Sequence, residues 1–173
     1  MARLESLEFL AEMMLASGFH DDRLAEVAMA MNKASPDSGS AVALRLRAAA
    51  RARDDEAFER IFRAAEPHTQ VNYRLTRSAG LAAFDRWHLA GTDDPLTPAQ
   101  LKRLAERAQD LLDRAIMSRP DDAEAVWAYA LLSAALKREL PVAARRIRAV
   151  IAIWPANEDL QSAMARVQAA QAP

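Results

Sequence analysis

Residues 105–127 read AERAQDLLDRAIMSRPDDAEAVW, and the fold turns on how that stretch is read. Ala108, Leu112, Ala115 and Pro120 follow one another at intervals of four, three and five. Intervals of three and four put a small, a large and a small apolar side chain on one stripe of a helix. Proline then ends the helix, since it has no amide hydrogen to donate and disfavours helical backbone in the residue before it. Ala143, Ile147, Val150 and Pro155 repeat the same spacing further along the chain. Two looser copies lie upstream, Leu24, Ala28, Met31, Pro36 and Ala57, Ile61, Ala64, Thr69, and the offset between them is nearly that between the two downstream copies. A period of this length is the signature of stacked supersecondary units, none of which buries its apolar face alone. Ala108, Leu112, Ala115, Ala143, Ile147 and Val150 are therefore expected between helices.

Outward from this stretch, apolar residues keep a helical period and strand-like alternation is hard to find. The runs are broken at Gly18, Ser35-Pro36, Glu66-Pro67, Gly91 to Pro95, Pro120, Pro141 and Pro155. These breaks predict nine helices, near 3–16, 21–33, 38–52, 54–65, 70–90, 98–118, 121–137, 140–153 and 156–171. Acidic pairs stand at several of the starts, Asp21-Asp22, Asp54-Asp55, Asp121-Asp122 and Glu158-Asp159. There a carboxylate accepts free amide hydrogens and opposes the positive end of the helix dipole, so the pairs read as caps and not as ligands.

The spacing resembles that of the tetratricopeptide repeat, whose second helix carries a small residue, a large apolar one four on, a small one three further, and then a proline. Pro120 to Trp127, PDDAEAVW, looks like the family's entry into its next repeat, and Ala79-Gly80 is the nearest likeness to its Leu-Gly pair, with Tyr129-Ala130 a looser one. The resemblance implies an all-α fold of stacked antiparallel helical hairpins, a right-handed α-solenoid of about nine helices forming a single domain over 1–173. The interval from Ala57 to Ala108 exceeds one such repeat by about half. An irregular long hairpin is therefore expected at 70–118, joined by GTDDPLT, and helix 156–171 is expected to cap the array.

Composition agrees with helix and narrows function. Hydrophobic residues make up 51% of the chain, yet aromatics are 6% and glycines number 4, so much of the apolar content is alanine. Alanine loses no side-chain entropy in a helix and lets helices approach closely. A net charge of −1 provides no general attraction to nucleic acid or to an anionic membrane. With no cysteine, thiolate catalysis and thiolate metal sites are excluded. Glu5, Glu8 and Glu12 interrupt what a signal peptide needs as an apolar core, and no stretch approaches the roughly 20 apolar residues that a membrane span requires, since even Ala41 to Ala50 carries Arg45 and Arg47. A cytoplasmic location of bacterial type is expected.

His20, His68 and His88 do not pair at metal-binding spacing, the glycines are isolated, and no Gly-x-Ser-x-Gly elbow occurs. No catalytic residue, metal or cofactor is expected, and the chain is not expected to be an enzyme. What remains is surface. On helix 70–90, Val71, Leu75, Ala79 and Ala82 form a packing stripe, opposite Arg74, Arg77, Ser78, Asp85 and His88. On helix 121–137, Ala123, Val126, Ala130 and Ser133 read as inward, which leaves Glu124, Trp127 and Leu131 on another face. The expected function is that of a scaffold or chaperone holding a peptide or helix of a partner protein in a concave groove. The groove is expected to be basic from Arg74 and Arg77, with Arg47 or Arg51 nearby, and apolar from Trp127 and Leu131. Such a groove suits a ligand with a carboxylate or acidic cluster beside a bulky apolar residue. The alternatives are nucleic-acid binding through Arg45, Arg47, Arg51, Arg74 and Arg77, and membrane attachment through Arg145, Arg146, Arg148 and Val150 to Trp154.

Overall fold

The computed structural model describes Ser6, Leu7, Phe9, Leu10, Met13 and residues 21–34, 39–69 and 72–172. It is 82% helical, with no strand among the described residues. The helices are α1 (Asp21–Ala34), α2 (Gly39–Arg51), α3 (Asp55–Ala65), α4 (Tyr73–His88), α5 (Pro98–Ser118), α6 (Ala123–Leu136), α7 (Leu140–Ile153) and α8 (Glu158–Gln171). These eight match the predicted helices from 21–33 onward. The first predicted helix, 3–16, lies largely outside the described residues, although the five described ones within it are helical.

Side-chain caps start most of them. Asp54 accepts from the Ala57 amide at 2.9 Å and Asp122 from Ala125 at 3.1 Å. Asn72 and Asn157 do the same for α4 and α8, and Thr97 and Gln100 form a reciprocal capping box on α5. The acidic pairs therefore divide their work. Asp122 caps while Asp121 pairs loosely with Arg119, and Glu158-Asp159 fill a first turn that Asn157 caps.

The chain divides into two compact units, Met1–Leu89 and Ala90–Pro173. The expected single domain and its long hairpin at 70–118 straddle that boundary. In the first unit α2 packs against α1, α3 and α4. In the second, α6 packs against α5, α7 and α8, and α7 also packs on α8. Each unit is thus built around its second helix. The correspondence extends to spacing: α2 and α6 start at Gly39 and Ala123, α3 and α7 at Asp55 and Leu140, and the two offsets agree to within one position. Arg53 and Lys137, separated by the same offset, follow the two central helices with positive φ of 54° and 51°. That left-handed conformation, usually glycine's at a helix C-terminus, turns the chain back in both units.

Burial follows the sequence spacing closely. Ala108, Leu112, Ala115, Ala143, Ile147 and Val150 are all buried, as are Ala28 and Met31 of the first copy. The second copy is displaced: Ala57 is half-buried and Ala64 exposed, while Phe58, Ile61, Phe62 and Ala65 face inward. Phe58 and Phe62, one turn apart with ring centroids separated by 5.8 Å, carry most of the apolar area of α3, and their burial sets its rotation. Where other copies have proline, Thr69 is buried, and its carbonyl accepts from the Thr76 hydroxyl on α4.

The most deeply buried charged side chain among the described residues escapes any apolar pattern. Arg86 on α4 is 0% exposed and forks onto Asp55 at the start of α3, with Nε to Oδ1 at 2.5 Å and Nη2 to Oδ2 at 2.9 Å. Asp55 retains access to water, its side chain being 29% exposed. Removing each partner should therefore have unequal effects. Asp55→Asn removes the negative charge facing a buried guanidinium and should cost about 3 to 5 kcal/mol, whereas Arg86→Met leaves a carboxylate that can turn to solvent and should cost less. Chemical denaturation of the two variants checks the order. Ala143→Leu, placed in the packed seam of α7, should cost about 1 to 3 kcal/mol through overpacking. An unchanged thermal melt would show that position 143 is not enclosed.

Candidate functional site

In the first unit, Arg47 and Arg51 lie one turn apart on α2 and converge on a single carboxylate of α4. Arg47 places Nε and Nη2 each 3.1 Å from Asp85 Oδ2, and Arg51 Nε stands 3.5 Å from the same oxygen. Arg47 is 5% exposed, so its charge is spent inside the α2–α4 seam. Arg74 is exposed on α4 and Arg77 half-buried one turn on. The structure thus separates the four arginines expected to act together: Arg47 and Arg51 hold α4 to α2, and Arg74 and Arg77 retain contact with solvent. Asp85, expected on the outward stripe with Arg74, is the counter-ion of that seam.

In the second unit, Trp127 is half-buried and Leu131 is buried, at 7% exposure. Leu131, expected on an open face, belongs to the packing. The reason lies in the sequence of α6, AEAVWAYALLSAAL, whose one charged residue is Glu124. A helix apolar all round is buried all round, and α6 has neighbours in α5, α7 and α8. The two-stripe reading of 121–137 assumes a single packing partner.

A polar cluster that the sequence reading did not assemble lies where α5, α6 and α7 meet. Arg146 on α7 reaches Asp113 on α5 at 2.6 Å, and its guanidinium carbon stands 4.8 Å from the centroid of the Tyr129 ring on α6. Such stacking is attractive because the face of the ring is negative. Deeper in, the Gln109 side-chain amide donates to the Ser133 hydroxyl at 2.9 Å, while its own Oε1 is buried without a hydrogen-bond partner. The signal available in the sequence was a glutamine between Ala108 and Leu111, beside an otherwise apolar stripe.

Burial raises the Tyr129 phenol above its ordinary 10.0, an effect offset in part by the Arg146 guanidinium and a hydrogen bond with Ser133, and reinforced by Asp113 and Glu139. His68 is exposed, His88 is exposed and stacked on Phe84 at 5.2 Å, and His20 lies outside the described residues. Among the described residues no three acidic or histidine side chains gather in a way that suits a metal ion. No helix among them is long and apolar enough to cross a membrane.

No protein-family model, curated protein or solved structure matches the chain.

The Tyr129 shift has a definite sign. The folded chain holds this proton more tightly than the unfolded chain, so its contribution to stability is complete below pH 10.0 and declines as pH rises through the folded value. Denaturation at a series of pH values above 10 should show a steeper loss of stability for the parent than for Tyr129→Phe. Equal slopes would place the phenol in contact with water.

Proposed function

We propose that this chain is a non-catalytic interaction module, a tetratricopeptide-like α-solenoid that holds a peptide or helix of another protein. The observation that carries the reading is the recurrence of one packing scheme in both units, at a nearly constant offset along the chain, around a second helix enclosed by its neighbours. An array of helical hairpins in which each element meets only its neighbours is put together this way, and its function resides in the faces left open. The charges inside the first unit support the same view, since Arg47, Arg51 and Arg86 are engaged by Asp85 and Asp55. Engagement of Arg47 and Arg51 also weakens nucleic-acid binding as an alternative, because two of the five arginines it needs already share the Asp85 carboxylate.

The residues proposed to meet a partner are Arg74 with Arg77 on α4 and Trp127 on α6, the first exposed and the other two half-buried. Arginine takes a carboxylate through two parallel hydrogen bonds, and tryptophan contributes a large contact area for few frozen torsions. With a partner captured from the source organism and then purified, Arg74→Ala plus Arg77→Ala should weaken binding by about 1 to 3 kcal/mol, and Trp127→Ala by a similar amount. Circular dichroism should show unchanged helicity. Affinity should fall only modestly with added salt; a steep logarithmic fall would mark a nucleic-acid contact instead. Parent-like binding by both variants would rule these residues out as the contact.

A further inference from the structure

One helix face in the second unit is apolar, basic and uncovered. On α7, Ala143, Ala144, Ile147 and Val150 are buried, and the opposite face exposes Arg145, Arg148, Ala149 and Ala152. Arg145 and Arg148 make no ion pair with any described residue, and α7, LPVAARRIRAVIAI, has no acidic residue of its own. Neighbouring carboxylates are already taken: Asp113 by Arg146, Asp110 by Arg138 and Asp121 by Arg119. At the end of the helix Ile153 and Trp154 are each 55% exposed, and Met117 on α5 is 71% exposed. The three share one end of the unit. Arg146 ties α7 to Asp113 of α5, Met117 lies one turn beyond Asp113, and Ile153 lies two turns beyond Arg146. Two arginines at an interval of three thus precede a bulky apolar cluster by roughly 8 to 12 Å, at about 1.5 Å of rise per residue.

The chain contains a segment of complementary chemistry. Residues 5–13 read ESLEFLAEM, with Glu5, Glu8 and Glu12 at intervals of three and four, the interval of a helical stripe. Beside them Phe9 is 67% exposed and Leu10 46%, although both are large apolar residues on a helical stretch. Leu7 from the same stretch packs against the cluster of Val27, Ala28, Met31, Ala41 and Leu44. That contact holds Leu7 to the first unit while Phe9 and Leu10 stay exposed.

We propose that the exposed face of α7, with Met117, Ile153 and Trp154, receives residues 5–13 of a second copy of this chain. Glu5 and Glu8 meet Arg145 and Arg148, and Phe9 and Leu10 cover Ile153 and Trp154. An anionic bilayer fits the face less well than a linear segment. Asp121, Glu158 and Asp159 are exposed near the apolar end, and a flat membrane is pressed against them while a helix passes beside them. Because the two surfaces differ, the contact is heterologous, and it either closes a ring or extends a chain of copies. It involves neither Arg74, Arg77 nor Trp127 and so stands apart from the partner contact proposed above.

Sedimentation velocity over a range of concentrations reads the assembly directly. The parent chain should gain mass with concentration, and Arg145→Glu plus Arg148→Glu should weaken association about tenfold or more, as should Glu5→Arg plus Glu8→Arg. The decisive arm combines all four reversals in one chain, which should associate again because opposite charges face each other once more. Phe9→Ser plus Leu10→Ser should abolish association with helicity retained. A parent that stays monomeric throughout overturns the proposal, and so does association indifferent to the reversals or not restored by combining them. Binding of the parent to phosphatidylserine vesicles without self-association also overturns it and assigns the face to a membrane. In every one of these cases the partner contact at Arg74, Arg77 and Trp127 is left as it stood, since its variants are measured separately.

Discussion

Everything else in each unit depends on the enclosure of its second helix. α2 and α6 are surrounded by neighbours, and alanine is the commonest residue the chain buries there, followed by leucine. Small side chains allow helix axes to come close, so the stabilisation comes from many short contacts across a large area and less from a few large residues. Such a core tolerates added volume poorly. It also leaves α1, α3, α5 and α7 with one face on the central helix and another in solvent, and those outer faces carry most of the charge.

Position 47 in the first unit and position 131 in the second, equivalent when the starts of α2 and α6 are aligned, show how one scaffold admits two chemistries. Leu131 fills its site with an apolar side chain; Arg47 fills the corresponding one with a guanidinium. Burying that charge is tolerable only with a counter-ion, which Asp85 provides from α4 while also receiving Arg51. Arg86 repeats the arrangement with Asp55 from α3. Pairs of this kind add little net stability compared with apolar residues of the same shape, because desolvation offsets attraction. They do penalise any shift of α3 or α4 that would separate the partners, and in that sense they specify the register of the first unit.

Helix positions were legible from local signals. Proline, capping residues and the three-four spacing place eight helices within three residues of where they lie, and the two strongest copies of the repeat name six residues that are all buried. The rotation of α3 was less legible, because Ala57 and Ala64 fit the motif while Phe58 and Phe62 determined which face turned inward. The candidate site was the least legible part. Whether an arginine on a helix meets solvent or a carboxylate 38 residues away, as Arg47 meets Asp85, is a matter of tertiary pairing that periodicity does not encode. Trp127 and Leu131 were placed from one stripe on a helix that has three neighbours.

The two units use polar groups differently, and the difference bears on where recognition can occur. In the first unit Arg47 and Arg51 of α2 are drawn toward Asp85, whereas on α4 Arg74 is exposed and Arg77 half-buried next to the packed seam. In the second unit the inward polar groups are largely neutral, Gln109, Ser133 and Tyr129, while Arg146 bridges Asp113 and the Tyr129 ring at the edge. Arg145 and Arg148 are left over on the same helix. On the reading proposed above, an acidic partner meets cations on a flank of each unit. Because those cations project from outer helices supported by rigid, alanine-packed centres, their spacing along the helix is set before any ligand arrives. Preorganisation of that kind lowers the ordering cost of binding, and under the same proposal specificity follows from matching the three-residue interval of Arg74 and Arg77, or of Arg145 and Arg148, to a similar interval of carboxylates.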